Sequence, residues 1–287
     1  MAYCYEIAGL KLKIEGDWND FAQKKAKAYE AYFEGAEDIY VEIRLGIDKI
    51  DYPKGEVVLS GKQRHWLKNE DGGAFYDFVP EISEEIINCV TFDEKFKTIK
   101  MELCKSEVLG LSVDERPFNL MDRVMRLAAL EHNRLVLHAS GIIFEDNAIL
   151  FSAPSGTGKS THTSLWKQYY PQTIVFNDDA PMISFENGEI IAWGTPWSGT
   201  SGVNLNKGAK LNSVIFLEQA KECSIKKTEG TDAIFRMFQE ISKPVYPKLM
   251  QSMLDKMSLV LTDVPAYVLS CDISENAVET VKSELGL

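Results

Sequence analysis

Apolar and polar positions alternate in the first part of the chain. Leu10, Leu12 and Ile14 are interleaved with Lys11 and Lys13, and Ile39, Val41, Ile43 and Leu45 keep the same spacing. A period of two marks strands with one buried face. Between these runs Phe21, Ala22, Ala26, Tyr29 and Phe33 recur at helical spacing and predict a helix over 19–33. Further strands are predicted at 57–60, 63–68, 74–79 and 97–103, with Glu70-Asp71-Gly72-Gly73 as a turn.

The texture changes near Pro117. A helix over 117–132 presents Leu120, Val124, Leu127, Ala128 and Leu130 as its buried stripe, with proline in the first turn. Strands at 135–144 and 148–152 flank Glu145-Asp146-Asn147. A glycine-rich segment and a helix to about Tyr169 follow, then a strand at 173–176 that runs into Asn177-Asp178-Asp179. Asn187-Gly188 separates strands at 182–185 and 189–193, a strong hairpin signal. A strand at 214–217, helices at 232–241 and 249–257, a strand at 266–270 and a last helix capped by Ser274 complete the chain. The pattern divides between 112 and 113. Residues 1–112 form a β-rich α+β N-terminal domain with no motif that carries chemistry, expected to serve substrate recognition. Residues 113–287 form an α/β domain.

Composition narrows the partners. An apolar fraction of 45% with 26% charged residues supports a sizeable core, and a net charge of −12 opposes binding to nucleic acid or to an anionic membrane. No apolar run approaches the roughly 18 residues of a membrane span, and the N-terminus lacks the basic-then-apolar order of a signal peptide. A cytoplasmic location is expected. Five cysteines, at 4, 89, 104, 223 and 271, form no C-x-x-C pair. They read as small hydrophobes, neither a disulfide framework nor a zinc site.

The chemistry concentrates after residue 137. Ala153-Pro-Ser-Gly-Thr-Gly-Lys-Ser-Thr161 fits G-x-x-x-x-G-K-[ST] with alanine at the first glycine. Gly156 and Gly158 let successive N–H groups point inward at phosphate oxygens, and the following helix adds its positive dipole end. Ser155, Gly156, Thr157, Gly158, Lys159, Ser160 and Thr161 are the expected nucleotide-binding residues. Lys159 would neutralise the β- and γ-phosphates, and Ser160 would ligate Mg²⁺. About twenty residues on, Asp178-Asp179 ends an apolar strand. There one carboxylate, Asp178, would serve the metal, and either could accept a proton from an attacking hydroxyl. His138 interrupts an apolar strand ahead of the loop and is a further catalytic candidate. Gly194–Gly202 could close over phosphates or grip a substrate through Trp197, Ser198, Gly199 and Thr200. Arg123 and Arg126 read as a solvated helix face, and His65, His132 and His162 are given no role.

In this order LHASGI, SAPSGTGKST, NDDAP and GTPWSG resemble the C-terminal domain of HPr kinase/phosphorylase over about 117–220. Its relatives include kinases of peptide-modification and lasso-peptide clusters and, more distantly, phosphoenolpyruvate carboxykinase. The resemblance implies a P-loop kinase fold that uses ATP and Mg²⁺, with one of Asp178 and Asp179 as general base toward a serine hydroxyl and His138 beside the pair. HPr kinases form oligomers, so homo-oligomeric assembly is also implied. The uncharged GTPWSGTSG departs from the family, which carries an acidic residue in that loop. The first half shows no match to the family's N-terminal domain. The expected activity is transfer of the γ-phosphoryl group to a Ser/Thr hydroxyl of a peptide or small protein. The alternatives are a metabolite kinase or carboxykinase-like enzyme, and a non-catalytic nucleotide-sensing or peptide-binding module.

Overall fold

In a computed structural model describing residues 2–79, 83–105, 114–199 and 201–287, the alternating segments pair into two large sheets, and the chain is a mixed α/β protein. Two compact units result: residues through His132 together with Pro244–Met250, and Asn133–Lys243 with Gln251–Leu287. The expected division at 112/113 lies within 106–113, outside the described residues. By packing, the helix predicted over 117–132 groups with the first unit.

The first unit holds an eight-stranded sheet of β1 (Ala2–Ile7), β2 (Leu10–Gly16), β3 (Ile39–Ile47), β4 (Glu56–Ser60), β5 (Arg64–Lys68), β6 (Gly72–Val79), β7 (Ser83–Asp93) and β8 (Thr98–Cys104). Their order across the sheet is β1-β2-β3-β8-β7-β6-β5-β4. The period-two residues Leu12, Ile14, Val41 and Ile43 are buried as the alternation requires. α1 (Asp20–Ala26) is shorter than the predicted 19–33. A single 3₁₀ turn follows and carries Tyr29 into the core, after which Ala31 N–H donates to the Cys4 carbonyl at 3.0 Å. Pairing with β1 thus outcompetes helical propensity. α2 (Arg116–Glu131) buries the predicted stripe and begins with proline at its first positions. Beneath it Arg64 pairs with Asp77, Asn88 donates to Asp77 at 3.3 Å, and Arg116 donates to Asn88 at 3.1 Å. This polar chain crosses three strands.

The second unit holds β9 (Arg134–Val136), β10 (Ala139–Phe144), β11 (Asn147–Ser152), α3 (Lys159–Tyr169), β12 (Ile174–Asn177), β13 (Met182–Glu186), β14 (Glu189–Trp193), β15 (Gly208–Gln219), β16 (Ser224–Lys227), α4 (Gly230–Gln239), β17 (Ala266–Cys271) and α6 (Glu275–Leu285). α5 (Pro247–Asp263) contributes its residues from Gln251 onward. β11 lies parallel to β15, which in turn runs parallel to β17, while β10, β12, β13 and β14 join by antiparallel pairings. Ile142, Phe144, Ile149, Phe151, Trp166, Ile215 and Leu269 form a core between this sheet and the helices α3 and α6. Ser274 occupies the cap position of α6, yet its hydroxyl donates to Asp272 and makes no bond to the helix. No helix among the described residues is long and apolar enough to cross a membrane.

Candidate functional site

β11 ends at Ser152, in the middle of the second sheet, and α3 starts at Lys159; residues 153–158 make the turn between them. Gly156 and Gly158 have φ of +81° and +116°, a region that L side chains rarely adopt. Nothing lies within 4 Å of a Cβ built on either, so the demand for glycine is conformational, not steric. Ala153 takes the first motif position in a buried, compatible conformation. The first N–H groups of α3 have no partner within the helix, and its dipole adds positive potential at the turn.

Lys159 folds back over this turn. Its ammonium donates to the Ala153 carbonyl at 2.7 Å and meets His138 Nε2 at 2.9 Å. The residue is 7% exposed, and burial holds its pKa below the ordinary lysine value, opposed by the carboxylates of Glu240 and Asp179.

His138 stands where the sequence predicts one strand over 135–144 and the structure has two. β9 pairs with β13, whereas β10 pairs with β11 and β12. Between them Leu137, His138 and Ala139 donate their N–H groups to the carbonyls of Pro181, Glu240 and Asp179. The chain therefore changes partner at His138, which fixes that side chain beside the glycine turn. His138 Nδ1 lies 2.7 Å from Glu240 Oε2, and Nε2 lies 3.5 Å from Asp179 Oδ1. With a carboxylate at Nδ1 and an ammonium at Nε2, both contacts are satisfied when Nδ1–H donates to Glu240 and Nε2 accepts from Lys159.

The two aspartates differ. Asp178 is 4% exposed; Oδ1 accepts from Gly199 N–H at 2.7 Å, and Oδ2 accepts from the N–H and hydroxyl of Ser201. Its carboxylate holds Gly199 and Ser201 in place. Asp179 keeps a side chain 39% exposed and contacts His138. Asn177 sets this divergence: its amide donates to Thr195 and Trp197 carbonyls, and its Oδ1 accepts from the N–H groups of Asp179 and Ala180. Gly141 also contributes, because the Phe176 ring lies where its Cβ would be.

Two clefts flank the turn. One of about 560 Å³ is lined by Ser160, Asp178 and 201–205. The other, about 550 Å³, lies between Gly156–Gly158, Thr161 and the ends of β15 and β17. Among the described residues no group of three or more His, Cys, Asp or Glu could hold a metal by itself. A hydroxyl and a carboxylate on one cleft nevertheless fit a magnesium ion that takes its remaining ligands from phosphate and water.

Of the predicted residues, His138, Lys159 and Asp179 come together, and Ser160 and Asp178 share a cleft. Ser155 is exposed at the tip of the turn, and Thr157 accepts a hydrogen bond from Gln219 at its carbonyl. Trp197 is buried, while Ser198 and Gly199 are half-buried. Thr200 lies outside the described residues. Arg126 pairs with Asp122 one helical turn away, and with its side chain only 17% exposed it departs from the solvated face expected of it. Sequence reasoning missed Glu240. Its one signal is an acidic residue at the C-terminal end of α4, where the helix dipole disfavours negative charge.

The sequence matches no protein-family model. No curated protein of similar sequence is found. Among solved structures the chain is similar to the HPr(Ser) kinase/phosphatase from Coxiella burnetii, at 12% identity and a TM-score of 0.32, over 52% of this chain and 89% of that one.

Proposed function

We propose that the second unit is an ATP- and Mg²⁺-dependent phosphotransferase whose acceptor is a hydroxyl group. One observation carries the reading: the Lys159 ammonium, His138 and the Asp179 carboxylate meet within 2.9 and 3.5 Å at the mouth of a glycine turn that opens a helix. The turn and Lys159 hold the β- and γ-phosphates and offset the charge that builds on the leaving oxygen. Ser160 and Asp178 would hold a magnesium ion, which when bound would neutralise phosphate charge; Asp178 also holds Gly199 and Ser201.

Asp179 is the general base. As the acceptor oxygen attacks the γ-phosphorus, its proton passes to the Asp179 carboxylate and the bond to the β-phosphate oxygen breaks. Asp179 suits this role better than Asp178, whose two oxygens already accept three hydrogen bonds. His138 orients Asp179 and Lys159, and Glu240 fixes the ring. The acceptor is a serine or threonine of a peptide or small protein, with the first unit recognising it. A small-metabolite acceptor is the second reading, favoured by the cleft of about 560 Å³ beside Ser160 and Asp178, a volume usual for small ligands.

Incubation with γ-labelled ATP and Mg²⁺ against a peptide pool and a metabolite pool separates the two acceptors. Label in the peptide pool that vanishes with Lys159→Ala and Asp179→Asn supports the main reading. Label confined to metabolites replaces it with the second. ATP binding with no transfer to either pool leaves a nucleotide-sensing module.

A further inference from the structure

β16 lies antiparallel against β17, pairing Ser224 with Ser270 and Lys227 with Tyr267. Carried one residue past the start of β16, that register sets Cys223 opposite Cys271. The kind of pair follows from the ladder. Thr228 N–H donates to the Ala266 carbonyl at 2.9 Å, so 228 and 266 are a hydrogen-bonded pair. Such pairs alternate with non-hydrogen-bonded ones, which makes 223 and 271 non-hydrogen-bonded. There the Cα atoms lie about 4.5 Å apart and the two side chains share a face, within the roughly 4.4–6.8 Å that a disulfide spans.

The side chains agree with the backbone. The Cys223 thiol donates to Asp272 Oδ1 at 3.2 Å, which brings its sulfur to the end of β17. Both cysteines are half-exposed, whereas Cys89 and Cys104 are buried in the first unit. Cys271 also lines the cleft that borders Gly156, Thr157 and Gly158.

We infer that Cys223 and Cys271 are a reversible dithiol–disulfide site that closes on exposure to a small-molecule disulfide. Burial pushes the Cys271 thiol up to about 11, with Cys223 and Asp272 adding to the effect, so Cys271 is protonated at neutral pH. Cys223, just outside β16, opens the exchange. Its sulfur attacks the small disulfide, forms a mixed disulfide and expels one small thiol, which takes up the Cys223 proton. Cys271 then attacks the Cys223 sulfur, the protein disulfide forms, and a second small thiol leaves with the Cys271 proton. Two protein thiols are oxidised, and one small disulfide is reduced to two thiols. The closed pair ties β16 to β17 at the edge of the cleft.

The test treats the full chain with oxidised glutathione, blocks remaining thiols and maps peptides without reduction. The site predicts loss of two of the five thiols, one linked peptide joining residues 223 and 271, and full reversal by dithiothreitol. Cys271→Ser is expected to stop at a stable glutathione adduct on Cys223, and Cys223→Ser to form neither adduct nor link, each with the melting temperature of the reduced parent. A parent chain that keeps the adduct on Cys223 without the link, or links another pair, overturns the inference. Nothing in it rests on the nucleotide reading, and the linked peptide is scored with no nucleotide present.

Discussion

Replacing Glu240 tests whether His138 is held for chemistry or merely packed. Its side chain is 8% exposed and its Oε2 lies 2.7 Å from His138 Nδ1, a charge-assisted hydrogen bond in a dry setting. Removing one partner of such a bond costs about 1.5–3 kcal/mol. At about 1.4 kcal/mol per tenfold in rate, Glu240→Ala is expected to lower kcat roughly 10- to 100-fold if that orientation is needed in the transition state. Glu240→Gln keeps an acceptor and loses the charge, so its loss is expected to be smaller. A second readout separates this from loosened packing. Glu240 is the leading charge that opposes burial at Lys159, so its removal lowers the Lys159 pKa further. The ammonium is then lost at lower pH, and the alkaline limb of nucleotide binding moves toward neutrality in Glu240→Gln. Both quantities come from phosphoryl-transfer rates and ATP titrations between about pH 6 and 10. A Glu240→Gln enzyme with the parent's kcat and the parent's alkaline limb would refute the reasoning.

Three further outcomes follow from single sites. Burial depresses His162 to about 3, and its Nε2 accepts from the Trp166 indole. The unfolded chain therefore binds this proton below about pH 6.5 while the folded one does not, and stability falls by as much as about 1.4 kcal/mol per pH unit as acid is added toward pH 3. Urea denaturation in that window is expected to show a shallower acid loss for His162→Gln. Gly141→Ala sets a methyl group against the Phe176 ring, and about 1–3 kcal/mol of stability should be lost with a fall in kcat as Asn177–Asp179 shift; chemical denaturation alongside rates checks it. Asp77→Ala leaves Arg64 without its carboxylate at a site where the side chains are 17% and 7% exposed. It should cost about 3 kcal/mol in the melting of the first unit.

What the sequence made legible follows from where the forces are local. The strand–turn–helix around Lys159 was readable because two glycines, a lysine and the flanking apolar run act within a dozen residues. Alternation likewise revealed β2 and β3, and Asn187-Gly188 revealed the β13–β14 hairpin. Tertiary pairing was not readable. The predicted strand over 135–144 breaks at His138 because Glu240, 102 residues away, and Asp179 claim its backbone and its ring. The helix over 19–33 ends early because Ala31 finds a partner in β1. Asp178 and Asp179 looked alike as neighbours at a strand end. Only the folded chain, in which the N–H groups of Gly199 and Ser201 reach the Asp178 carboxylate and not its neighbour's, tells them apart. The cysteines gave a similar lesson: no spacing rule joins 223 to 271, yet the β16–β17 register does.

The central claim, phosphoryl transfer at Lys159 and Asp179, is tested most directly by measuring MgATP affinity and γ-phosphoryl transfer together in Asp179→Asn and Lys159→Ala. The account predicts that Asp179→Asn binds MgATP as the parent does and transfers at least about 100-fold more slowly, as loss of a general base entails, while Lys159→Ala loses both binding and transfer. Parental transfer by Asp179→Asn, or parental binding by Lys159→Ala, would contradict it.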